Sequence, residues 1–529
     1  AHVRWLVREL QAVYAPLLNF ALARGTLMVA LAGVSLLAAG GAYLSLGKTF
    51  MPTMDEGDII MQLEKLPSIS LAQTIATDLR VQQAVMKAVP EVKAIVARSG
   101  SDELGLDPMG LNQTDTFLVL KPREEWRKPD KDWLTDQLRA VMESFPGIAL
   151  TFTQPIDMRV SEMLTGVRGD LAIKLYGPDL NTLNHLATQI EGVVKAVPGA
   201  EDTITIRNEG VQYLKIQVDR LAAGRAGLNV EDVQNALRSL LEGRVAGTVI
   251  ESTRRVPLLI RGPADLQRDP DAFAALRITT ADGHSLALSS VARIERVDGP
   301  VKVDRENAQR YSVIQSNVRD RDLVGFVEEA KAAVAAKGPL PAGYRIAWGG
   351  QFENQQRAAA RLGVVVPIAL GLIFVLLFST FGSVRQALLV LAMVPFAMVG
   401  GVFALAVSGE YLSVPASVGF IALLGIAALN GVVMVSYFNQ LHARGMPIGE
   451  VVVEGARRRL RPVLMTASIA ALGLVPLLFA TGPGSEVQRP LAVVVIGGLL
   501  SATALTLLLL PLLYRRFGIA PAAPEATVK

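Results

Sequence analysis

The chain has no cysteine among its 529 residues. Disulfides, thiolate metal sites and a cysteine nucleophile are therefore excluded. Histidine is also scarce: His2, His185, His284 and His442 are scattered, and no two have ligand spacing. A phosphate-cradling GxxxxGK[ST] loop is absent, so an ATP-driven pump is not expected. No Ser-His-Asp arrangement stands out, and the chain reads neither as an enzyme nor as the carrier of a resident cofactor. The net charge is only +4, and no Lys/Arg cluster interleaves with aromatics, so a nucleic-acid groove is not expected either.

Charge is the next shortage. Charged residues are 19% of the chain against 51% hydrophobic, and they are unevenly placed. Residues 48–360 hold most of the acidic groups, while 27–46 and most of 362–514 are almost uncharged. A bilayer core about 30 Å thick needs about 20 apolar residues in a helix. Six stretches qualify: about 27–46, 362–381, 386–408, 414–437, 463–481 and 490–514. None of them contains Asp, Glu, Lys, Arg or His. Proton-coupled carriers place carboxylates at membrane depth, where desolvation raises their pKa. The chain either does not couple protons or borrows that carboxylate from another piece.

Lys and Arg near the span ends set orientation. Arg4, Arg8 and Arg24 precede the first span, Arg444, Arg457, Arg458, Arg459 and Arg461 lie between the fourth and fifth, and Arg515 and Arg516 follow the sixth. These flanks share one side only if the first span runs from inside to outside. The 48–361 module is then extra-cytoplasmic. The chain opens at Ala1 with no signal peptide, and an upstream sequence is expected.

The module reads as strands alternating with amphipathic helices. Ile59–Leu63, Glu91–Arg98, Thr116–Leu120 and Ile148–Phe152 are strand-like, and Leu71–Val89 and Asp130–Phe145 have helical spacing. The order is βαββαβ, a split βαβ sandwich. A second copy begins with a strand at Leu171–Tyr176, a helix at Asn181–Val197 and strands at Glu201–Ile206 and Val211–Val218. Tyr311–Val318, Leu323–Ala336 and Tyr344–Trp348 complete it, after an insertion at 230–290. Lys87-Ala-Val-Pro90 and Lys195-Ala-Val-Pro198 end the matching helices, which points to an internal duplication. The predicted fold class is a six-helix membrane bundle carrying an α+β module of two ferredoxin-like subdomains with an inserted docking subdomain.

Two groups of residues are chemical candidates. Asn430 is the main strongly polar residue deep in the bundle, within Leu424-Gly-Ile-Ala-Ala-Leu-Asn-Gly431. It serves either as an interhelical hydrogen bond or as the partner of a proton-carrying carboxylate from another helix. Gly425, Ala427, Ala428 and Gly431 around it allow close helix approach, as do Gly400-Gly401 and Gly497-Gly498. In the module, Asp102, Glu103, Asp107 and Asp115 flank Pro108-Met109-Gly110, Asp157, Met158, Glu162 and Met163 lie between the sandwiches, and Glu64 ends the first strand. Carboxylates and thioethers together suit a cation; the alternative is solvated loop charge.

Several motifs, in order, resemble the resistance-nodulation-division exporters, and their heavy-metal efflux branch most closely. They are Phe50-Met-Pro-Thr-Met-Asp-Glu-Gly-Asp58, Ala347-Trp-Gly-Gly-Gln-Phe-Glu353, Gly419-Phe-Ile-Ala-Leu-Leu-Gly425, Leu429-Asn-Gly-Val-Val-Met434, Arg459-Leu-Arg-Pro-Val-Leu-Met-Thr466 and Gly482-Pro-Gly-Ser-Glu-Val-Gln-Arg-Pro490. The resemblance runs from about residue 3 to about 516 and matches only the second half of such a pump. It implies a trimeric inner-membrane metal/proton antiporter with a periplasmic adaptor and an outer-membrane channel. The relay aspartates would lie in the absent first half, facing Asn430. Three methionines of the copper and silver line align with Gln62, Gln113 and Glu162, none of which is Met. Oxygen donors suit harder divalent ions. Asp115, Glu162, Gln62 and Gln113 are thus the expected cargo site for zinc, cobalt, nickel or cadmium, driven by the proton motive force. A shifted alignment would bring in Met61, Met109, Met158 and Met163 as soft-metal donors. The same architecture exporting organic compounds, and a non-transporting half-pump acting as sensor or assembly partner, are the alternatives.

The implied divisions are a cytoplasmic or interfacial segment (1–26), a first spanning helix (27–47) and a first porter subdomain (48–155). A second porter subdomain follows in two parts (156–229 and 291–358) around the docking subdomain (230–290). A five-helix bundle (359–516) and a cytoplasmic tail (517–529) complete the chain.

Overall fold

A computed structural model describes residues 2–101, 109–165, 169–206, 209–263, 270–280 and 282–518. Two helices open the chain, α1 (His2–Ala23) and α2 (Gly25–Ser45). The first is more than a flanking segment: Leu18 is fully buried, and the Tyr14 hydroxyl donates to the Leu507 carbonyl at 2.6 Å.

The first sandwich comprises β1 (Ile59–Glu64), α3 (Leu71–Ala88), β2 (Val92–Ser99), β3 (Gln113–Leu120), α4 (Lys131–Met142) and β4 (Ala149–Thr153). Its sheet order is β2-β3-β1-β4, with every neighbouring pair antiparallel. Period-two alternation sends Ile59, Met61 and Leu63 to one face, where they pack on Val81 and Val85 of α3 and Leu134 and Leu138 of α4. Each such side chain contributes about 1.5–3 kcal/mol on burial. Asp130 caps α4 by accepting the Trp133 N–H. The helix α5 (Pro155–Thr165) follows β4, and the Glu56 carboxylate accepts the backbone N–H groups of Ile156 and Asp157 at its start.

The second sandwich starts with β5 (Leu171–Tyr176), α6 (Leu180–Lys195) and β6 (Ala200–Thr205). A separate compact unit comes next, spanning 207–303 together with 67–70. It contains β7 (Val211–Val218), α7 (Arg220–Arg225), α8 (Val230–Leu241), β8 (Arg244–Glu251), β9 (Arg254–Ile260), α9 (Pro270–Ala274), β10 (Arg277–Thr279), β11 (Ser285–Ala287) and β12 (Ala292–Gly299). The expected strand at Val211–Val218 exists, but it pairs with β12, from Val218↔Ala292 to Val211↔Gly299, and not with β5 or β6. The inserted unit is therefore wider than 230–290. Alternation reveals a strand without revealing a partner some 80 residues away.

The chain then returns with β13 (Arg305–Glu306), β14 (Gln309–Val318), α10 (Leu323–Ala335) and β15 (Arg345–Gly350). The sheet runs β13-β14-β5-β15, with β6 also on β14. Without the short β13, its order β6-β14-β5-β15 repeats that of the first sandwich. The two Lys-Ala-Val-Pro segments begin at the ends of α3 and α6, the equivalent crossover helices.

After β15 come α11 (Gln351–Phe381), α12 (Val384–Leu391), α13 (Val394–Ser408), α14 (Val414–Ala443), α15 (Ile448–Leu478) and α16 (Ser485–Phe517). With α12 and α13 taken as one span, six helices, α2 included, are long and apolar enough to cross a membrane.

Candidate functional site

The antiparallel register of β1 and β3 sets Gln62 directly opposite Asp115, and Glu64 opposite Gln113. These four residues share the face of the sheet turned away from α3 and α4. On the flanking strands, Arg98 of β2 lies opposite Asp115, and Thr151 of β4 lies opposite Gln62. The Gln62 Nε2 amide donates to Asp115 Oδ1 at 2.8 Å, and Arg98 Nη2 donates to Asp115 Oδ2 at 2.9 Å. Asp115 is fully buried and Glu64 nearly so. Gln113 is held differently, its Oε1 accepting the Gly110 N–H at 3.2 Å.

Of the expected cargo ligands, Gln62 and Asp115 are thus in contact, and Gln113 is two residue pairs along, the next on the same face. Glu162 lies on α5 by its backbone, and its side chain is outside the described residues, as are Asp102, Glu103 and Asp107 entirely. Asp157 accepts from Thr153 Oγ1 at 3.3 Å, and burial pushes its pKa up, helped by the nearby Glu56 charge. Among the described residues, no three His, Asp or Glu side chains group closely enough to hold a metal ion.

The methionines separate clearly. Met61 points into the apolar core with no exposure, so it is no ligand for the polar face. Met158 is buried and Met163 is 86% exposed. Met109 is the one that joins the polar face, its Sδ lying 3.6 Å from Arg98 Nη2.

Two features escaped the sequence reading. The Arg98 guanidinium on Asp115 is one; the two-residue period from Val96 placed it on that face. A buried charge network is the other. Lys65 Nζ lies 2.7 Å from Asp78 Oδ1, and Ser99 and Thr114 hydroxyls donate to Asp78 Oδ2 at 2.8 and 2.7 Å. Burial pushes the Lys65 ammonium down, against the pull of Asp78.

In the bundle, Asn430 is buried on α14, and its Oδ1 accepts from Thr466 Oγ1 of α15 at 3.3 Å. Its Nδ2 finds no acceptor among the described residues. Gly431 gives the close approach expected, since a Cβ there would meet Val390 at 2.7 Å; Gly425 faces open space. A second polar cluster was missed. Gln386 and Asn439 exchange hydrogen bonds at 2.8 and 3.0 Å, and the Tyr514 hydroxyl donates to Asn439 at 2.6 Å.

The AcrB/AcrD/AcrF family profile matches residues 2–518. The cobalt-zinc-cadmium resistance protein CzcA of Cupriavidus metallidurans is 42% identical over 510 residues, which are 95% of this chain and 48% of that protein. The cation efflux system protein CusA of Escherichia coli is 35% identical over 524 residues, 97% of this chain and 50% of that one. A crystal structure of a heavy metal efflux pump superposes with a TM-score of 0.85 at 38% identity, over 98% of this chain and 53% of that one. The chain thus spans about half the length of the curated relatives it matches.

Proposed function

The chain belongs to the AcrB/AcrD/AcrF family, and from that premise we propose that it forms the C-terminal half of a proton-driven exporter of divalent metal cations. The observation that carries the metal reading is the buried Asp115 carboxylate on a sheet face shared with Gln62, Glu64 and Gln113. Oxygen donors of this kind suit zinc, cobalt, nickel or cadmium better than monovalent copper or silver. The seclusion of Met61 in the core supports the same choice. Glu162 of α5 joins the set in this reading.

The two sandwiches act as ferredoxin-like porter subdomains, and the unit at 207–303 docks an outer channel. Basic flanks support an α/β module outside an inner membrane. Homotrimerisation, a periplasmic adaptor and an outer-membrane channel complete the assembly. Proton coupling needs a carboxylate at membrane depth, and the six apolar stretches carry none. An acceptor supplied by the other half would satisfy the spare Asn430 Nδ2 donor.

The test is metal resistance in a sensitised bacterium. The chain is expressed alone, and together with a separately encoded N-terminal half from a metal-exporting relative. Resistance to zinc, cobalt, nickel or cadmium is expected only with both halves, and is expected to fall when Asp115→Asn is introduced. Resistance from the chain alone would discard the half-pump reading. No resistance to any of the four metals would discard metal export.

A further inference from the structure

Among the described residues, the Nη2 nitrogen of Arg98 donates to two acceptors of different kinds. It lies 2.9 Å from Asp115 Oδ2 and 3.6 Å from Met109 Sδ. A single cationic nitrogen is therefore held by a carboxylate and a thioether. Asp115 Oδ1 is also engaged, by the Gln62 amide at 2.8 Å. The Asp115 side chain is 1% exposed, whereas that of Arg98 is 35% exposed. The anion is enclosed, and the cation beside it has a way out to solvent.

A buried carboxylate demands a counter-charge, and leaving it unpaired is costly. A guanidinium cannot supply release by losing a proton, because it stays charged at any working pH. Its only exit is to swing. The long apolar stem lets the charged head move to water without uncovering much apolar surface. A divalent cation approaching Asp115 meets a positive charge already in place, so the two compete for one carboxylate.

We propose that Arg98 is the resident counter-cation of this site. It neutralises Asp115 while no metal is bound, is displaced outward when a divalent cation enters, and returns to expel it. Gln62 completes the exchange: a half-turn of its amide replaces the NH2 group by the carbonyl oxygen, which faces the metal. Arg98 thereby keeps affinity low enough for a cargo that must leave again. The proposal rests on the metal-site reading above.

The experiment is isothermal titration of the full chain in detergent micelles with zinc chloride. Wild type is compared with Arg98→Gln, Arg98→Met, Arg98→Lys and Asp115→Asn. Loss of the competing charge is expected to tighten zinc binding about tenfold or more, the equivalent of one charged hydrogen bond. Arg98→Lys, which keeps a cation in place, is expected to stay close to wild type. Asp115→Asn is expected to abolish binding. A purely structural Arg98 gives the opposite sign, since a lost contact loosens the site. Arg98→Met retains the apolar stem, so the comparison survives if Arg98→Gln fails to fold. Unchanged or weaker zinc affinity in folded Arg98→Gln and Arg98→Met, with Asp115→Asn still abolishing binding, overturns the proposal and leaves the metal site standing. Zinc binding indifferent to Asp115→Asn, or absent from wild type and every Arg98 variant, overturns the metal site and this proposal with it.

Discussion

Lys65 and Asp78 meet 2.7 Å apart inside the first sandwich, with only 3% and 4% of their side chains exposed. Lys65 follows β1, and Asp78 sits on the inner side of α3. Ser99 and Thr114 bind the other Asp78 oxygen, and Asn112 Nδ2 donates to the Lys65 carbonyl. Lys65 lies three residues along from Gln62, and Thr114, which donates to Asp78, is next to Asp115, so the pair braces the strand ends that carry the candidate site.

Removing one partner leaves the other charge enclosed and alone. Lys65→Met is expected to destabilise the chain by about 3–5 kcal/mol. The double variant Lys65→Met/Asp78→Leu should lose less than the sum of the singles, because it strands hydroxyls and no charge. Thermal denaturation of the four proteins in detergent closes the cycle. Additive losses would show that the two charges do not depend on each other.

Much of this organisation is legible in the sequence, for physical reasons that differ by element. The membrane helices announce themselves by length and apolarity alone. The helices α3 and α6 follow from 3.6-residue spacing, and the shared Lys-Ala-Val-Pro segments mark their equivalence. The start of β3 was hidden. Gln113, Thr114 and Asp115 read as a polar loop, yet Thr114 faces the Lys65–Asp78 network and Asp115 faces Gln62 and Arg98. With polar partners on both faces, no hydrophobic period remains to reveal a strand. Contact between Gln62 and Asp115 was equally hidden, because register depends on pairing 53 residues away.

Asp170 and Asp136 should titrate with opposite signs. Asp170 accepts the Val318 N–H at 3.0 Å and the Gln351 amide at 3.1 Å, at the junction where β14 ends and α11 begins. Burial pushes its pKa from 3.8 up to about 6, aided by the charges of Asp157 and Glu201. A folded-state pKa above the unfolded one gives stability that is present at pH below 3.8 and lost as pH rises through about 6. Hydrogen exchange at the Val318 backbone amide, which the Asp170 carboxylate accepts, is therefore expected to speed up across this window, beyond the intrinsic pH effect. Asp170→Asn is expected to flatten that response. A response unaltered by the substitution would assign it to another group.

Arg319 joins the two sandwiches. Its guanidinium reaches Asp136 of α4 at 2.7 Å and Glu201 of β6 at 3.0 Å, while Arg139 of α4 binds Glu201 and Asp202 at 3.1 and 3.0 Å. The hydrogen bond from Arg319 holds Asp136 below the usual carboxylate range. That contribution is present above the unfolded pKa and lost as pH falls through the folded one, the reverse of Asp170. The groups are partly solvated, so each pair is worth about 0.2–1 kcal/mol and salt weakens it. Arg319→Ala is expected to lower the denaturation midpoint modestly at low salt and less at high salt. An equal loss at both would point to packing instead of charge.

Helix packing in the bundle gives a paired steric prediction. A Cβ at Gly400 of α13 would meet the Gly497 carbonyl of α16 at 2.1 Å, and one at Gly497 would meet Ala404 at 2.4 Å. The Gly400 N–H even donates across the helix pair to Ser501 Oγ at 3.0 Å. A backbone carbonyl cannot swing aside as a flexible side chain can. Gly400→Ala must therefore push two helices apart, at a cost of about 1–3 kcal/mol or more from overpacking. Gly425 of α14 belongs to an equally small-residue stretch, yet nothing lies within 4 Å of its Cβ position. Gly425→Ala is expected to be neutral or slightly stabilising, because alanine favours the helix. Thermal denaturation in detergent separates the two. Equal tolerance at both positions would mean that α13 and α16 are farther apart than described here, and equal intolerance would place a neighbouring helix against Gly425.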